Sequence, residues 1–258
     1  MAKPVETGLK KGMEKMGNFL ERLIGQAKHA KVTYETRVGM QPVLALESRL
    51  KIEKLKQILD TLTDRMVLPL FPSLKDKVVL EMGEGPLHYL SSFAERKTRL
   101  SSGLSVGEGP AVNGPVPSGA LVMRGQLKSL PFESNYYDFV AARLTTPLQG
   151  DVLASVKEIG RVLAPDGEAI LVDYHPFGLY AKSGTARMRS VESSIRGIED
   201  YYKMCKLAGL TVTELKEVFL DDTVRQFFTT TEELAAFRDL KGTPLVLCLL
   251  VSKVRRGA

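Results

Sequence analysis

Leu130-Pro131-Phe132-Glu133-Ser134-Asn135-Tyr136-Tyr137-Asp138-Phe139-Val140, followed by Glu158-Ile159-Gly160-Arg161-Val162-Leu163-Ala164-Pro165-Asp166-Gly167, decides the fold. The first stretch passes from polar, turn-forming residues into an apolar run, and a strand is expected over 137–142. The second closes a helix expected over 149–163, in which Val152, Val156, Ile159 and Val162 fall on one face. Pro165-Asp166-Gly167 reads as a turn, and Glu168–Tyr174 as the next strand.

Further strands are expected at 78–80, 100–106, 120–124, 211–219 and 244–252, and further helices at 87–96 and 190–208, the latter closed by Gly209. Strand and helix alternate, which points to a mostly parallel sheet covered on both faces. The segment 107–119 holds seven Gly or Pro in thirteen positions and reads as a loop. Upstream, residues 43–67 read as a helix with the apolar stripe Leu46, Leu50, Leu55, Ile58, Leu59 and Leu62, ended by Pro69 and Pro72. Residues 8–29 read as a basic amphipathic helix weakened by Gly12, Gly17 and Gly25. The expected organisation is a helical extension or cap over 1–72 and an α/β domain over 73–258.

The two long stretches resemble the "LPF-x-x-x-x-F/Y-D-x-V" and "E-x-x-R-V-L-x-P-G-G" blocks of class I S-adenosylmethionine-dependent methyltransferases of the type 11 kind. Ala208-Gly209-Leu210-Thr211-Val212 is similar to that family's entry into its sixth strand, and Thr243–Leu247 suits the seventh. The resemblance covers roughly residues 75–253. It implies a Rossmann-like sheet of seven strands, parallel except for an antiparallel last strand, with helices on both faces. It also implies a cofactor, S-adenosylmethionine, across the carboxyl ends of the first strands.

Against the family's acidic-x-Gly-x-Gly-x-Gly, the chain reads Glu81-Met82-Gly83-Glu84-Gly85-Pro86-Leu87. Leu87 replaces the third glycine. Ser105 stands where an acid bonds the ribose hydroxyls; Ser accepts a hydrogen bond but offers no charged bidentate pair. Gln126 stands where an Asp bonds the adenine amine, and its carbonyl keeps that capacity. The 107–119 loop replaces the family's second helix. The resemblance thus assigns cofactor binding to Glu81, Gly83, Gly85, Ser105, Gln126, Leu127 and Arg143, through degenerate motifs. Arg143 follows the fourth strand, where a substrate carboxylate or phosphate would dock; a salt bridge to the acidic loops is the plainer alternative.

Methyl transfer needs alignment of nucleophile and methyl group more than a fixed catalytic residue. His175, after the fifth strand, is the candidate base, with Tyr174 as companion. Its structural alternative is a loop histidine bonding the backbone before Pro176. The three His and two Cys have no metal-ligand spacing, so no metal is expected. Cys205 and Cys248 sit in apolar surroundings and read as free thiols of a cytoplasmic protein.

The net charge of +6 is mild, and the sequence holds no target-base motif and no aromatic-rich basic patch, so a nucleic-acid substrate is not favoured. Nothing beyond the basic helix suggests contact with a membrane surface. The function expected is methylation of a small molecule. The alternative is an inactive methyltransferase-like scaffold or subunit, homo-oligomeric or partner-bound through residues 8–67.

Overall fold

The computed structural model describes residues 50–107, 110–112, 114–144, 152–175, 181–183, 185–187 and 197–253. The chain divides into two compact units, and all of these residues belong to the one made of Pro42–Arg189 and Ser193–Ala258. The expected helix at 8–29 lies outside the described residues.

The domain is built on a seven-stranded sheet. In chain order the strands are β1 (Val78–Glu84), β2 (Leu100–Val106), β3 (Leu121–Arg124), β4 (Tyr137–Arg143), β5 (Leu163–Tyr174), β8 (Leu210–Phe219) and β9 (Pro244–Lys253). Their spatial order is β3-β2-β1-β4-β5-β9-β8. β1 to β5 pair in parallel, while β9 runs antiparallel to both β5 and β8. This is the sheet that the resemblance implied. Two short strands, β6 (Ala181–Ser183) and β7 (Thr185–Arg187), pair with each other.

Alternation along the strands divides the core into two layers. Val79, Phe139, Ile170 and Cys248 pack beneath α1 (Ile52–Val67), α2 (Leu90–Glu95) and α5 (Thr231–Leu240). Val78, Leu80, Val140, Leu171 and Leu249 pack beneath α3 (Val152–Val162) and α4 (Ile198–Leu207). Central strands covered on both sides must be apolar at consecutive positions, and Val78-Val79-Leu80 is fully buried for that reason.

The two long sequence blocks are stapled to each other. Arg161 grips both carboxylate oxygens of Glu158 at 2.7 and 2.8 Å and donates to the carbonyls of Leu130 and Phe132. Glu158 in turn accepts from the Leu130 amide at 2.8 Å. The blocks therefore fix the loop that leads into β4.

Some expectations need correction. Pro165-Asp166-Gly167 does not separate helix from strand: β5 begins at Leu163, directly after α3, and these residues form an irregularity within it. Asp166 takes the left-handed conformation (φ 62°). At Gly167 a Cβ would meet the Ala164 carbonyl at 2.9 Å. The helix expected over 87–96 is shorter, Leu90–Glu95, because the amides before it bond to Glu81 rather than continuing a helix. Cys205 and Cys248 are buried and free, and burial pushes their thiols up to about 11 and about 12.

Gly160 lets α3 approach the C-terminus of α4, where a Cβ would come within 2.4 Å of the Ala208 carbonyl oxygen. Gly160→Ala should therefore cost about 1–3 kcal/mol by overpacking. Urea unfolding measures it, and a change within about 0.5 kcal/mol, the range of a neutral surface substitution, would contradict the close approach.

Candidate functional site

The carboxyl ends of β1, β2 and β4 carry the site. Glu81 and Gly83 lie on β1, paired with Gly103 and Ser105 of β2 on one side and with Ala141 and Arg143 of β4 on the other. The structure thus brings together Glu81, Gly83, Gly85, Ser105 and Arg143 among the residues expected from sequence.

The turn after β1 is held by the chain itself. Gly85 adopts φ 75°, open to glycine without strain. Its amide donates to the Val106 carbonyl at 3.1 Å, and its carbonyl accepts from Ser105 Oγ at 2.8 Å. Pro86 has no amide hydrogen. The Leu87 amide donates to the Ala111 carbonyl at 2.9 Å, and Leu87 bridges to Val112 of the Gly/Pro loop. The amides of His88 and Tyr89 donate to the two carboxylate oxygens of Glu81 at 2.5 and 2.8 Å. Every amide from Gly85 to Tyr89 is thereby engaged.

Leu87 is buried and covers β2: a Cβ on Gly103 would fall 2.4 Å from Leu87 Cδ1. Ser105 is itself only 1 % exposed. The ribose-side position is therefore filled by the turn and by Leu87, not lined by a free acceptor. Gln126 is exposed in the short turn after β3, with its backbone carbonyl accepting from the Ser129 amide at 3.1 Å. Leu127, expected beside the cofactor, is instead buried in the core with Leu104, Leu130 and Val140. The turn at 126–129 tucks its side chain inward, because an apolar residue there gains more from the core than from a polar rim.

Glu81 is 1 % exposed. Burial lifts its carboxyl from 4.5 to about 7, against the opposing pull of the His88 and Tyr89 amides and the Arg143 charge. It shapes the turn, and both its oxygens are occupied.

Arg143 ends β4 with its aliphatic stem against the glycine turn; a Cβ on Gly83 would sit 2.9 Å from Arg143 Cβ. The guanidinium bonds Asp60 at 3.0 Å and Asp64 at 3.1 Å, both from α1, and lies over the Tyr89 ring. The salt bridge that the sequence offered as the plainer reading is present, but its acids come from the upstream helix rather than from loops. Tyr89 is buried and donates its hydroxyl to Asp64 at 2.9 Å. His88 Nε2 stands 3.9 Å from Asp60, and burial followed by the Arg143 charge lowers its pKa, so the ring is neutral at pH 7. Sequence reasoning missed Asp60, Asp64 and Tyr89. The available signal was the acidic pair at i and i+4 opposite the apolar stripe of α1.

His175 lies one strand over from Arg143, beyond the end of β5, and is fully buried. Its Nε2 is 2.8 Å from Glu217 of β8 and its amide donates to the Leu245 carbonyl at 2.9 Å. Burial lowers its pKa while Glu217 raises it. Asp173 is buried nearby on β5 and accepts from the Tyr201 hydroxyl and from the Tyr174 amide. Tyr174 is half-buried against the α1 side of the core, on the opposite face of β5 from Asp173. No cluster of metal-ligating side chains occurs among the described residues. None of their helices is long and apolar enough to cross a membrane.

Comparison with known proteins places this geometry. A family described as "Methyltransferase domain" matches residues 106–171. A Listeria monocytogenes protein described as a candidate S-adenosylmethionine-dependent methyltransferase aligns at a TM-score of 0.61 and 15% identity, over 76% of this chain and 99% of its own. Geranyl diphosphate C-methyltransferase from Streptomyces coelicolor, bound to Mg2+, geranyl diphosphate and S-adenosyl-L-homocysteine, aligns at 0.56 and 11%, over 81% and 87%. A candidate methyltransferase in complex with the Haloferax volcanii Trm112 activator aligns at 0.53 and 18%, over 79% and 94%. No curated protein matches the sequence. The chain thus has the class I methyltransferase fold, with identities that speak to the fold alone.

The Glu81 carboxyl has a measurable signature. Its pKa is raised on folding, so the folded protein holds a proton that the unfolded chain releases between about pH 4.5 and 7, and stability falls as pH rises through that window. A rise from 4.5 to about 7 corresponds to about 3 kcal/mol. Glu81→Gln removes this slope, so urea unfolding should show wild type losing about 2–3 kcal/mol relative to the variant between pH 5 and pH 8. Parallel pH profiles would contradict it.

Proposed function

We propose that this protein is an S-adenosylmethionine-dependent methyltransferase acting on a small molecule, and that it grips the cofactor by its ends rather than by its ribose. The observation that carries the reading is the pairing of a well-formed glycine turn with a missing ribose acceptor. Gly85, with open space where a Cβ would stand, leaves the turn low enough for close approach, while Ser105 Oγ is engaged with the Gly85 carbonyl. Recognition then falls to side chains at the rim. Gln126 is exposed at the adenine side, and Arg143 lies beside the methionine side.

The cofactor supplies an electrophilic methyl group on sulfur. The chain supplies position and exclusion of water. Glu81 holds the turn, Gly83 admits the stem of Arg143 against β1, and α1 closes over Arg143 through Asp60 and Asp64. His175 with Glu217 forms a base-and-orienter pair of the kind used for proton removal. Its complete burial assigns it to a substrate that enters deeply, or to a structural role.

A second reading is favoured by Leu87 and Ser105: a methyltransferase-like scaffold whose cleft is closed by its own contacts. The activator complex formed by one structural neighbour makes a protein partner a natural companion to this reading, through residues 8–67.

One substitution separates the two. Ser105→Asp returns a charged acceptor to the end of β2, and a charged hydrogen bond contributes about 1.5–3 kcal/mol. Calorimetric titration with S-adenosylhomocysteine should show weak binding to wild type and about ten- to hundredfold tighter binding to the variant. Absence of heat in both, at millimolar ligand, would leave the scaffold reading in its place.

A further inference from the structure

β8 ends the sheet. It pairs with β9 on one side, and the backbone on its other side has no hydrogen-bond partner among the described residues. Which groups point outward follows from β9. The Leu245 carbonyl is taken by the His175 amide on the β5 side. Alternate residues of an antiparallel strand bond to opposite neighbours, so Val246 and Cys248 turn their backbone toward β8, where they face Val218 and Lys216. The N–H and C=O groups of Leu215 and Glu217 therefore point away from the sheet. An open edge of this kind is a template for another strand.

The edge is self-complementary in charge. Glu214 and Lys216 flank Leu215 on one face of the strand, their charged ends 3.0 Å apart. A second β8, antiparallel and centred on Leu215, sets Glu214 opposite the partner's Lys216 and Lys216 opposite the partner's Glu214. Because Leu215 bonds outward, these are non-hydrogen-bonded pairs, in which side chains stand closest. Centring on Glu214, Lys216 or Glu217 instead sets a like charge against itself, which is unfavourable. Two aromatic side chains border the edge. Phe219 on β8 is 42 % exposed, and Tyr202 on α4, which packs on β8, is 48 % exposed. Leu207 of α4 lines a hollow with Lys157 and Gly160 of α3, so that flank of α4 faces α3. Tyr202 is set about 140° from Leu207 around the helix, on the flank beside the free edge.

We propose that β8 is the interface between two copies of this chain, which pair edge to edge about a two-fold axis at Leu215. The pairing joins the two sheets, matches Glu214 with Lys216 twice and draws Tyr202 and Phe219 toward the contact. A two-fold contact uses the same patch on both copies and closes after two. A bulge at Thr213 bounds the regular part of the strand, so the paired segment is short. An interface of that size falls below the roughly 1,200 Å² of a stable complex, and the dimer is therefore weak and concentration-dependent. This surface is separate from residues 8–67 and does not depend on methyl transfer.

The test is sedimentation equilibrium on the full chain, from about 5 μM to about 1 mM protein. Wild type should pass from monomer to dimer in this range and lose affinity in salt, which screens exposed charges. Glu214→Lys and Lys216→Glu each set like charges across the axis and should weaken the dimer about tenfold or more. Both side chains are partly exposed, so both variants should fold. Mixed in equal amounts, the two variants should dimerise with each other, because every Lys then faces a Glu.

Amide hydrogen exchange gives a second readout that needs no variant. The Leu215 and Glu217 amides should slow as wild-type concentration rises, since pairing engages both. Loss of the dimer in each single variant and its return in their mixture would establish the register as well as the surface. A wild-type chain that stays monomeric at the highest concentration, its edge then free for a strand from another protein, overturns the proposal. So does a dimer whose affinity is unchanged in both variants, which puts the interface on another surface.

Discussion

The backbone of the turn from Gly85 to Tyr89 constrains everything around it. Its amides bond to Val106, Ala111 and Glu81, and the Gly85 carbonyl accepts from Ser105. A glycine turn at the start of a βαβ unit ordinarily offers such amides to a ligand. Here they hold β1 to β2 and to the Gly/Pro loop. Glu81 shows what this arrangement costs. It is a carboxyl fully withdrawn from water, kept as a partner for two amides although burial favours its protonated form.

With the backbone engaged, side chains line the strand ends beside the turn, and α1 lies against them through Asp60 and Asp64. Its stripe of Leu55, Ile58, Leu59 and Leu62 joins the core on the Val79 face of the sheet. Each such residue contributes about 1.5–3 kcal/mol when fully buried. Of its ion pairs, Arg65 with Asp221 is exposed and adds at most about 1 kcal/mol, and Lys54 reaches Glu233 at the N-terminus of α5. The apolar stripe therefore seats the helix. The seat in turn brings Asp60 and Asp64 to Arg143, a pairing that depends on a helix and a strand end far apart in sequence.

The sheet was legible in the sequence because its signals are local. Apolar runs fix β1 and β4, and Glu158 with Arg161 marks the loop between β3 and β4 through contacts confined to neighbouring segments. Pro165-Asp166-Gly167 misled because left-handed residues serve a strand irregularity as well as a turn. The site was legible only in part. Motif positions placed Gly83, Ser105 and Arg143 near the ends of strands that prove to be neighbours, but gave no sign of their partners. That Ser105 bonds the Gly85 carbonyl, that His175 meets Glu217, and that Asp60 meets Arg143 all depend on tertiary approach. The acidic pair Asp60 and Asp64 on the polar face of its helix is visible in sequence, but the arginine it meets is not.

The central claim is that the glycine turn is held by its own chain on the ribose side. Amide hydrogen exchange at Gly85 and Leu87 tests it most directly, because their donors bond to Val106 and Ala111. The structure predicts that both amides are protected in the ligand-free protein to a degree comparable with the β1 strand. Exchange of either at the rate of an open loop would contradict it.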